Sequence, residues 1–321
     1  MSRMKKHLLL IDPQRGFAAK VDPAEQQLKM DGELCVAGGL EALDRVAAAI
    51  VNNTKNLDDL TVTYDCHAEL HIGHPIWYRF IKTPSQQFVK IDGIDRKIYD
   101  FMEVRGQKVA VPAPFTTIVA KNGSLQLGII GNTGQFNPIE HVSCMHPGFE
   151  RWTVYYNEQL SAGGRYPHMI WPPHCRIGTP SGLLVDSIRE ARVHWERTEF
   201  AVSTPITKGS NIKCEHFGAV RAEVPDPDDS STQPNSHFVK ILSDPDQEIG
   251  IAGLARGHCL ANTAMDLANE FPNPEDFFRR LVLLTDGTAD VTNLEFLGDA
   301  FVKTATSKGM RTATCEEWLR S

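Results

Sequence analysis

The feature that most constrains this chain is a set of short apolar runs, each ending in a reactive residue and separated by helix-forming stretches. Residues 7–12, HLLLID, form a buried-type strand closed by Asp12. In the stretch after it, Leu40, Leu43, Val46, Ala47 and Ile50 recur at three- and four-residue steps, the pattern of an amphipathic helix. Residues 59–65, DLTVTYD, are a second strand that also ends in an aspartate, Asp65. Residues 198–204, 248–255, 281–287 and 310–313 read as further strands, and residues 293–308 as a helix. Strands alternating with helices predict a doubly wound α/β domain with a mainly parallel sheet of about six strands and helices on both faces. Ligands of such sheets bind beyond the carboxyl ends of the strands, where Asp12, Asp65 and Cys259 all fall.

One stretch departs from this alternation. Residues 75–168 hold half of the chain's aromatic residues, short β-like runs at 88–91, 108–111 and 125–130, and many Gly, Pro and Asn turns. They read as a β-rich inserted subdomain or lid, with residues 1–74 and 169–321 forming the main domain. The segment joins the second strand to the WPPHC loop, so both of its ends belong at the rim of the site. It is therefore expected to touch the pocket mouth and restrict substrate size. Residues 225–235, PDPDDSSTQPN, read as a polar loop or flexible tip.

The 321 residues suffice for a large core, and a net charge of −7 with no dense Lys/Arg patch argues against a nucleic-acid partner. No apolar run approaches the ~20 residues of a membrane span. Seven cysteines without an export signal read as reduced thiols in a cytoplasmic protein. The expected partner is a small molecule, and a homo-oligomer is compatible with this reading.

Cys259 sits where the run 248–255 passes through glycines into an Ala-rich helical stretch. Unpaired N–H groups at a helix start favour negative charge, so a thiol there is expected to lose its proton more readily. The second strand continues as DCHAELHIGH, bringing Asp65, His67, His71 and His74 together, and His174 lies in WPPHC. A carboxylate with imidazoles at such spacing suits one divalent ion: zinc first, with iron or manganese as alternatives. His74 could take the place of His71. Lys208, followed by a glycine, is a candidate partner for Asp12, whose carboxylate is costly at the end of a buried strand.

These residues resemble the isochorismatase-like cysteine hydrolases, and within them the nicotinamidase/pyrazinamidase branch. The matching pieces, in the family's order, are IDPQRGF at 11–17, GELCVAGG at 32–39, TYDCHAELH at 63–71, WPPHCRIGTPSG at 171–182, KGSN at 208–211 and GLARGHCLANTAMD at 253–266. The resemblance implies Cys259 as nucleophile, Asp12 as general base and Lys208 as the supporting cation. It implies Asp65, His67 and His174 as metal ligands, with His71 near or in their shell. It also implies a cis peptide at Leu254–Ala255, an oxyanion hole from the N–H groups of Ala255 and Cys259, and Phe17 and Trp171 flanking a pyridine ring. The implied reaction is hydrolysis of a nicotinamide-like carboxamide through a Cys thioester. The chain departs from the family at Ala255-Arg256-Gly257-His258-Cys259, where a Thr-Asp pair is usual, at Phe217-Gly218-Ala219-Val220, at Cys66, and in the length of 75–168. The altered pocket residues leave another amide or carbamoyl substrate open, and a non-catalytic binding module is the remaining alternative.

Overall fold

The computed structural model describes residues 3–18, 34–131, 134–164 and 166–321; the first two residues of the GELCVAGG stretch lie outside them. Six strands form the main sheet: β1 (Lys5–Ile11), β2 (Asp59–Asp65), β3 (Thr204–Lys208), β4 (Gln247–Leu254), β5 (Leu281–Ala289) and β6 (Arg311–Ala313). Their order is β3-β2-β1-β4-β5-β6, and every neighbouring pair is parallel. The order reverses between β1 and β4, so a crevice opens beyond the carboxyl ends of those two strands. Asp12 follows β1 and Cys259 follows β4, which brings them to that crevice from distant parts of the chain.

Side-chain alternation along the strands builds two cores. Leu8, Leu10, Ala252, Leu254, Val282 and Leu284 face one layer. Leu9, Ile11, Ile249, Ile251, Leu281 and Leu283 face the other. The first layer is closed by α1 (Gly39–Asn52), whose Leu43, Val46, Ala47 and Ile50 are buried as the spacing predicts, and by Ile188, Ala191 and Trp195 of Asp186–Glu199. The second is closed by Ala264, Leu267 and Ala268 of Ala261–Asn269 and by Phe301 and Ala305 of Glu295–Ser307. Each large aliphatic side chain so buried contributes about 1.5–3 kcal/mol.

The strand expected at 198–204 is a correction. Thr198 and Glu199 end the helix Asp186–Glu199, Phe200 takes a left-handed φ of 53° that stops it, and the strand begins only at Thr204. The β-branched and aromatic residues there suggested a strand, yet Phe200 and Val202 are 98% and 83% exposed. The polar stretch 225–235 is not a free tip either. Thr232 is fully buried, its hydroxyl accepts from the Asp226 N–H, and Asn211 Nδ2 donates to Asp229.

Within residues 75–168, β runs dominate as expected. A five-stranded antiparallel sheet runs in the order His168–Met169, Thr117–Lys121, Ser124–Ile130, Phe136–Cys144, Tyr78–Phe80. Two further hairpins pair Phe88–Ile91 with Ile94–Lys97 and Tyr99–Val104 with Gln107–Pro112. Their two-residue turns, Asp92-Gly93 and Arg105-Gly106, carry positive φ at both positions, the twist that tight hairpins prefer. The sequence reading missed the helix Glu150–Gly163, whose Tyr156 and Leu160 pack into a third core with Trp77, Tyr78 and Leu127. Among the described residues, no helix is long and apolar enough to cross a membrane.

Two histidines outside the crevice give the fold a pH dependence. Burial pushes His7 down to about 4 and His168 down to about 3. From pH 6.5 downward to about 4 the unfolded chain takes up protons that the folded chain refuses, so stability falls as pH falls through that window. Each unit of such a gap weighs about 1.4 kcal/mol. The urea midpoint of chelator-treated protein is expected to drop from pH 7 to pH 5, and His7→Gln should remove part of the drop. An unchanged drop in that variant would exclude His7 as a contributor.

Candidate functional site

Four elements converge at the crevice, and a single lysine ties them together. Lys208, the last residue of β3, places Nζ 3.0 Å from Asp12 Oδ2 and 3.0 Å from Asp65 Oδ1. The same ammonium donates to the His216 carbonyl at 3.0 Å and lies 3.7 Å from Cys259 Sγ. All four side chains are buried. Burial alone would lower Lys208, but Asp12 and Asp65 outweigh it and hold its pKa well above the usual value. Asp65 stays ionised: burial opposes this, and His67 and Lys208 overcome it. Asp12 is raised by burial, against the pull of Lys208.

Asp12 is locked in place. It adopts φ 44° before a proline, a conformation costing about 1–3 kcal/mol for a non-glycine residue. Thr63 on β2 holds it: the Asp12 N–H donates to Thr63 Oγ1 at 2.9 Å, and the Thr63 hydroxyl donates to Asp12 Oδ1 at 2.6 Å. Gln14 does the same for Asp65, donating to its carbonyl at 2.8 Å and accepting from its N–H at 2.7 Å. Neither Thr63 nor Gln14 was singled out from sequence; Gln14 lies inside the IDPQRGF motif that carries Asp12.

Cys259 lies in a wide helical turn, Arg256–Leu260, that leads into Ala261–Asn269. The peptide Leu254–Ala255 is cis, as the resemblance implies, and the Ala255 carbonyl accepts from the His258 and Leu260 N–H groups. The substituted residues before the cysteine have found other partners. Arg256 Nε donates to Asp290 Oδ2 at 2.8 Å, and the Gly257 N–H donates to Asp290 Oδ1 at 3.0 Å. The expected lowering of the thiol pKa is corrected. Burial raises Cys259 well above the ordinary thiol value, Lys208 lowers it, and Asp12 and Asp65 raise it further. Full burial beside two carboxylates outweighs the helix start, so the resting thiol keeps its proton. The Asp12 carboxyl, within hydrogen-bonding reach of that thiol, has its own pKa raised and is the stronger base for it.

Beside this triad, Asp65 Oδ2 lies 2.8 Å from His67 Nε2 and 3.2 Å from His174 Nε2. The His174 Nδ1 is 2.8 Å from the Pro172 carbonyl, which only accepts, so Nδ1 carries the proton. In the neutral ring, Nε2 then turns a lone pair on a carboxylate oxygen, an arrangement that calls for a cation between them. Donor separations near 3 Å match the edges of a coordination shell with bonds of about 2.0–2.2 Å. The residues present therefore fit a divalent ion. His67, His71 and His74 form a second group within the same reach. His71 uses both nitrogens inside the protein: Nδ1 accepts from the Gly73 N–H and Nε2 faces the Cys214 carbonyl. His74 faces the Glu69 carbonyl through Nδ1, which leaves Nε2 buried and unpartnered. Among the described residues, His74 thus keeps a ring nitrogen free and His71 does not.

Phe17 and Trp171 both line the cavity that contains Cys259, Lys208, Asp65, His67 and His174. Its free volume is about 30 Å³, enough for a water molecule. Glu215, His216, Phe217 and His258 also line the cavity; of these, Glu215 and His216 drew no attention in the sequence. Burial, with Asp65 adding to it, pushes Glu215 up to about 8.

Residues 75–168 pack against residues of this wall. Phe115 packs edge-on to Trp171 at 6.0 Å; Tyr166 stacks on His258 at 5.6 Å and donates to the Gly257 carbonyl at 2.9 Å. Tyr156 Oη accepts from the Glu215 N–H at 3.2 Å. Among the described residues, none from 75–168 lines the cavity itself.

No protein-family model matches the chain, and no curated protein matches it in sequence. Solved structures do. A yeast nicotinamidase superposes with a TM-score of 0.53 over 96% of this chain and 99% of that one, at 14% identity. A nicotinamidase/pyrazinamidase from Acinetobacter baumanii has the same TM-score over 99% of this chain and 100% of that one, at 13% identity. Identity this low speaks to fold alone, and the topology, the parallel order of β1 to β6 and the antiparallel additions agree with it: the chain has the fold of the nicotinamidases.

Proposed function

We propose that the protein is a metal-containing cysteine amidohydrolase acting on a nicotinamide-like carboxamide. The observation that carries this reading is the single Lys208 ammonium within 3.0 Å of both Asp12 and Asp65 and 3.7 Å of Cys259 Sγ. Asp12 takes the thiol proton, and the sulfur attacks the amide carbon. The N–H groups of Ala255 and Cys259 receive the oxyanion; losing one such donor typically costs about 10²–10³ in rate. Asp12 returns the proton to the departing ammonia, and water then cleaves the thioester with Asp12 as base again. Lys208 holds both carboxylates in register throughout. Asp65, His67, His174 and His74 would hold the metal, which supplies a Lewis-acid anchor for a ring nitrogen. Phe17 and Trp171 would flank the ring.

The test is ammonia release from a panel of carboxamides, with metal content assayed on the same samples. Protein purified without chelator is expected to carry close to one equivalent of zinc, iron or manganese, and His174→Ala to lower it. Activity of that variant should recover in part when metal is added. A protein that never holds metal yet hydrolyses nicotinamide at full rate would refute the metal's role, and one that releases no ammonia from any amide would refute the reaction.

A further inference from the structure

Among the described residues, three that line the cavity each hold a buried polar atom with no partner and no part in the chemistry above: Glu215 Oε1, Trp171 Nε1 and His258 Nδ1. Their residues are 4%, 4% and 6% exposed. A buried polar group left unpaired costs about 1–3 kcal/mol, more for a carboxyl, so three on one wall need a reason. The metal does not supply it. Glu215 is outside both clusters of candidate ligands, and the nearest imidazole nitrogen, His71 Nδ1 at 4.0 Å, already accepts from Gly73. The chain has also made room for this carboxyl. A Cβ at Gly73 would come within 1.6 Å of Glu215 Oε1, so only glycine there lets Glu215 occupy its place. Glu215 is anchored beside the chemistry, because the next residue's carbonyl accepts from Lys208 Nζ at 3.0 Å.

We propose that Glu215 is a specificity-determining residue: it accepts a hydrogen bond from an N–H or O–H carried by the substrate's ring, with Trp171 Nε1 and His258 Nδ1 meeting further polar atoms of the same ring. The preferred substrate class is then a carboxamide on a ring bearing its own donor substituent, and unsubstituted nicotinamide is a poorer fit. This rests on the carboxamide reading of the site.

The test uses nicotinamide and its ring-amino derivatives, one isomer for each free ring carbon. Binding is measured by calorimetry on metal-loaded Cys259→Ala protein, which holds ligand without turnover, and ammonia release is measured on the wild type. At least one amino isomer should bind about tenfold or more tighter than nicotinamide, the worth of one good hydrogen bond in a closed site. Adding Glu215→Met should abolish that preference, and Glu215→Gln should fall between. Because Glu215→Met removes an unpartnered carboxyl, its melting temperature should equal or exceed that of its parent; a residue with a purely structural role would lower it. The proposal is overturned if no isomer is preferred, if no member of the panel binds, or if the preference survives Glu215→Met. Failure of the amidase reading looks different: a Glu215-dependent preference in binding, with no ammonia released by the wild type from any member of the panel.

Discussion

Cys259→Ala is expected to remove amide hydrolysis to a residue on the order of 10⁻⁴ of wild type or less, as loss of a nucleophile does elsewhere. Fold and metal content should be unchanged, because the side chain is small, buried and apart from the ligand cluster. Residual activity above about a tenth of wild type would remove it as nucleophile. Asp12→Asn should be nearly as damaging, since it keeps the shape and loses the base. It should also do something a structural lesion would not. The Asp12 carboxyl helps hold the Cys259 thiol above its ordinary pKa, so taking its charge away lowers that pKa. Alkylation of Cys259 by iodoacetamide near pH 8 should therefore speed up in Asp12→Asn while turnover collapses. Unchanged or slower alkylation would mean that the Asp12 charge is not what holds the thiol's pKa up.

Lys208→Met is the second large effect, and it reaches stability as well as rate. The substitution keeps the volume but leaves Asp12 and Asp65 buried near each other with no cation between them. Removing one partner of a buried ion pair costs about 3–5 kcal/mol. The sign of its pH dependence follows. Without Lys208 both carboxyl pKa values rise in the folded chain, so the folded state binds more protons than the unfolded state above about pH 4, and stability falls as pH rises. The deficit against wild type in urea denaturation should be largest near pH 7.5 and smaller near pH 5. A deficit below about 1 kcal/mol with no pH dependence would mean that the lysine is not neutralising the pair. Activity should be lost at every pH, because Lys208 also sets the position of Asp12 against Cys259.

Much of this site was legible because strand ends are legible. Asp12, Asp65 and Cys259 each close or follow an apolar run, and a parallel sheet must bring such ends to one edge. Lys208 was harder. The residues before it suggested a strand at 198–204, whereas the helix runs to Glu199 and the strand that carries the lysine starts at Thr204. The reactive residue was read at the right edge although its strand was drawn several residues early. Local propensity gave no sign that Phe200 would end a helix in a left-handed turn with its ring in water.

What the sequence by itself determined is the sheet, its edge, and the reactive groups that edge collects. These depend on periodicity along one segment at a time and on the limited ways of connecting parallel strands. What only the tertiary structure decided depends on groups far apart in the chain. The thiol's pKa goes up instead of down because two carboxylates and full burial meet it in space. His74 keeps a ring nitrogen free where His71 does not, because backbone groups meet both nitrogens of His71 and only one of His74. Thr63 and Gln14 matter through side-chain bonds across strands, and Glu215 stands in the pocket because Gly73, more than a hundred positions earlier, has no side chain to exclude it. Hydrogen bonds and burial act over a few ångströms of space, and spacing along a sequence says little about which groups will share them.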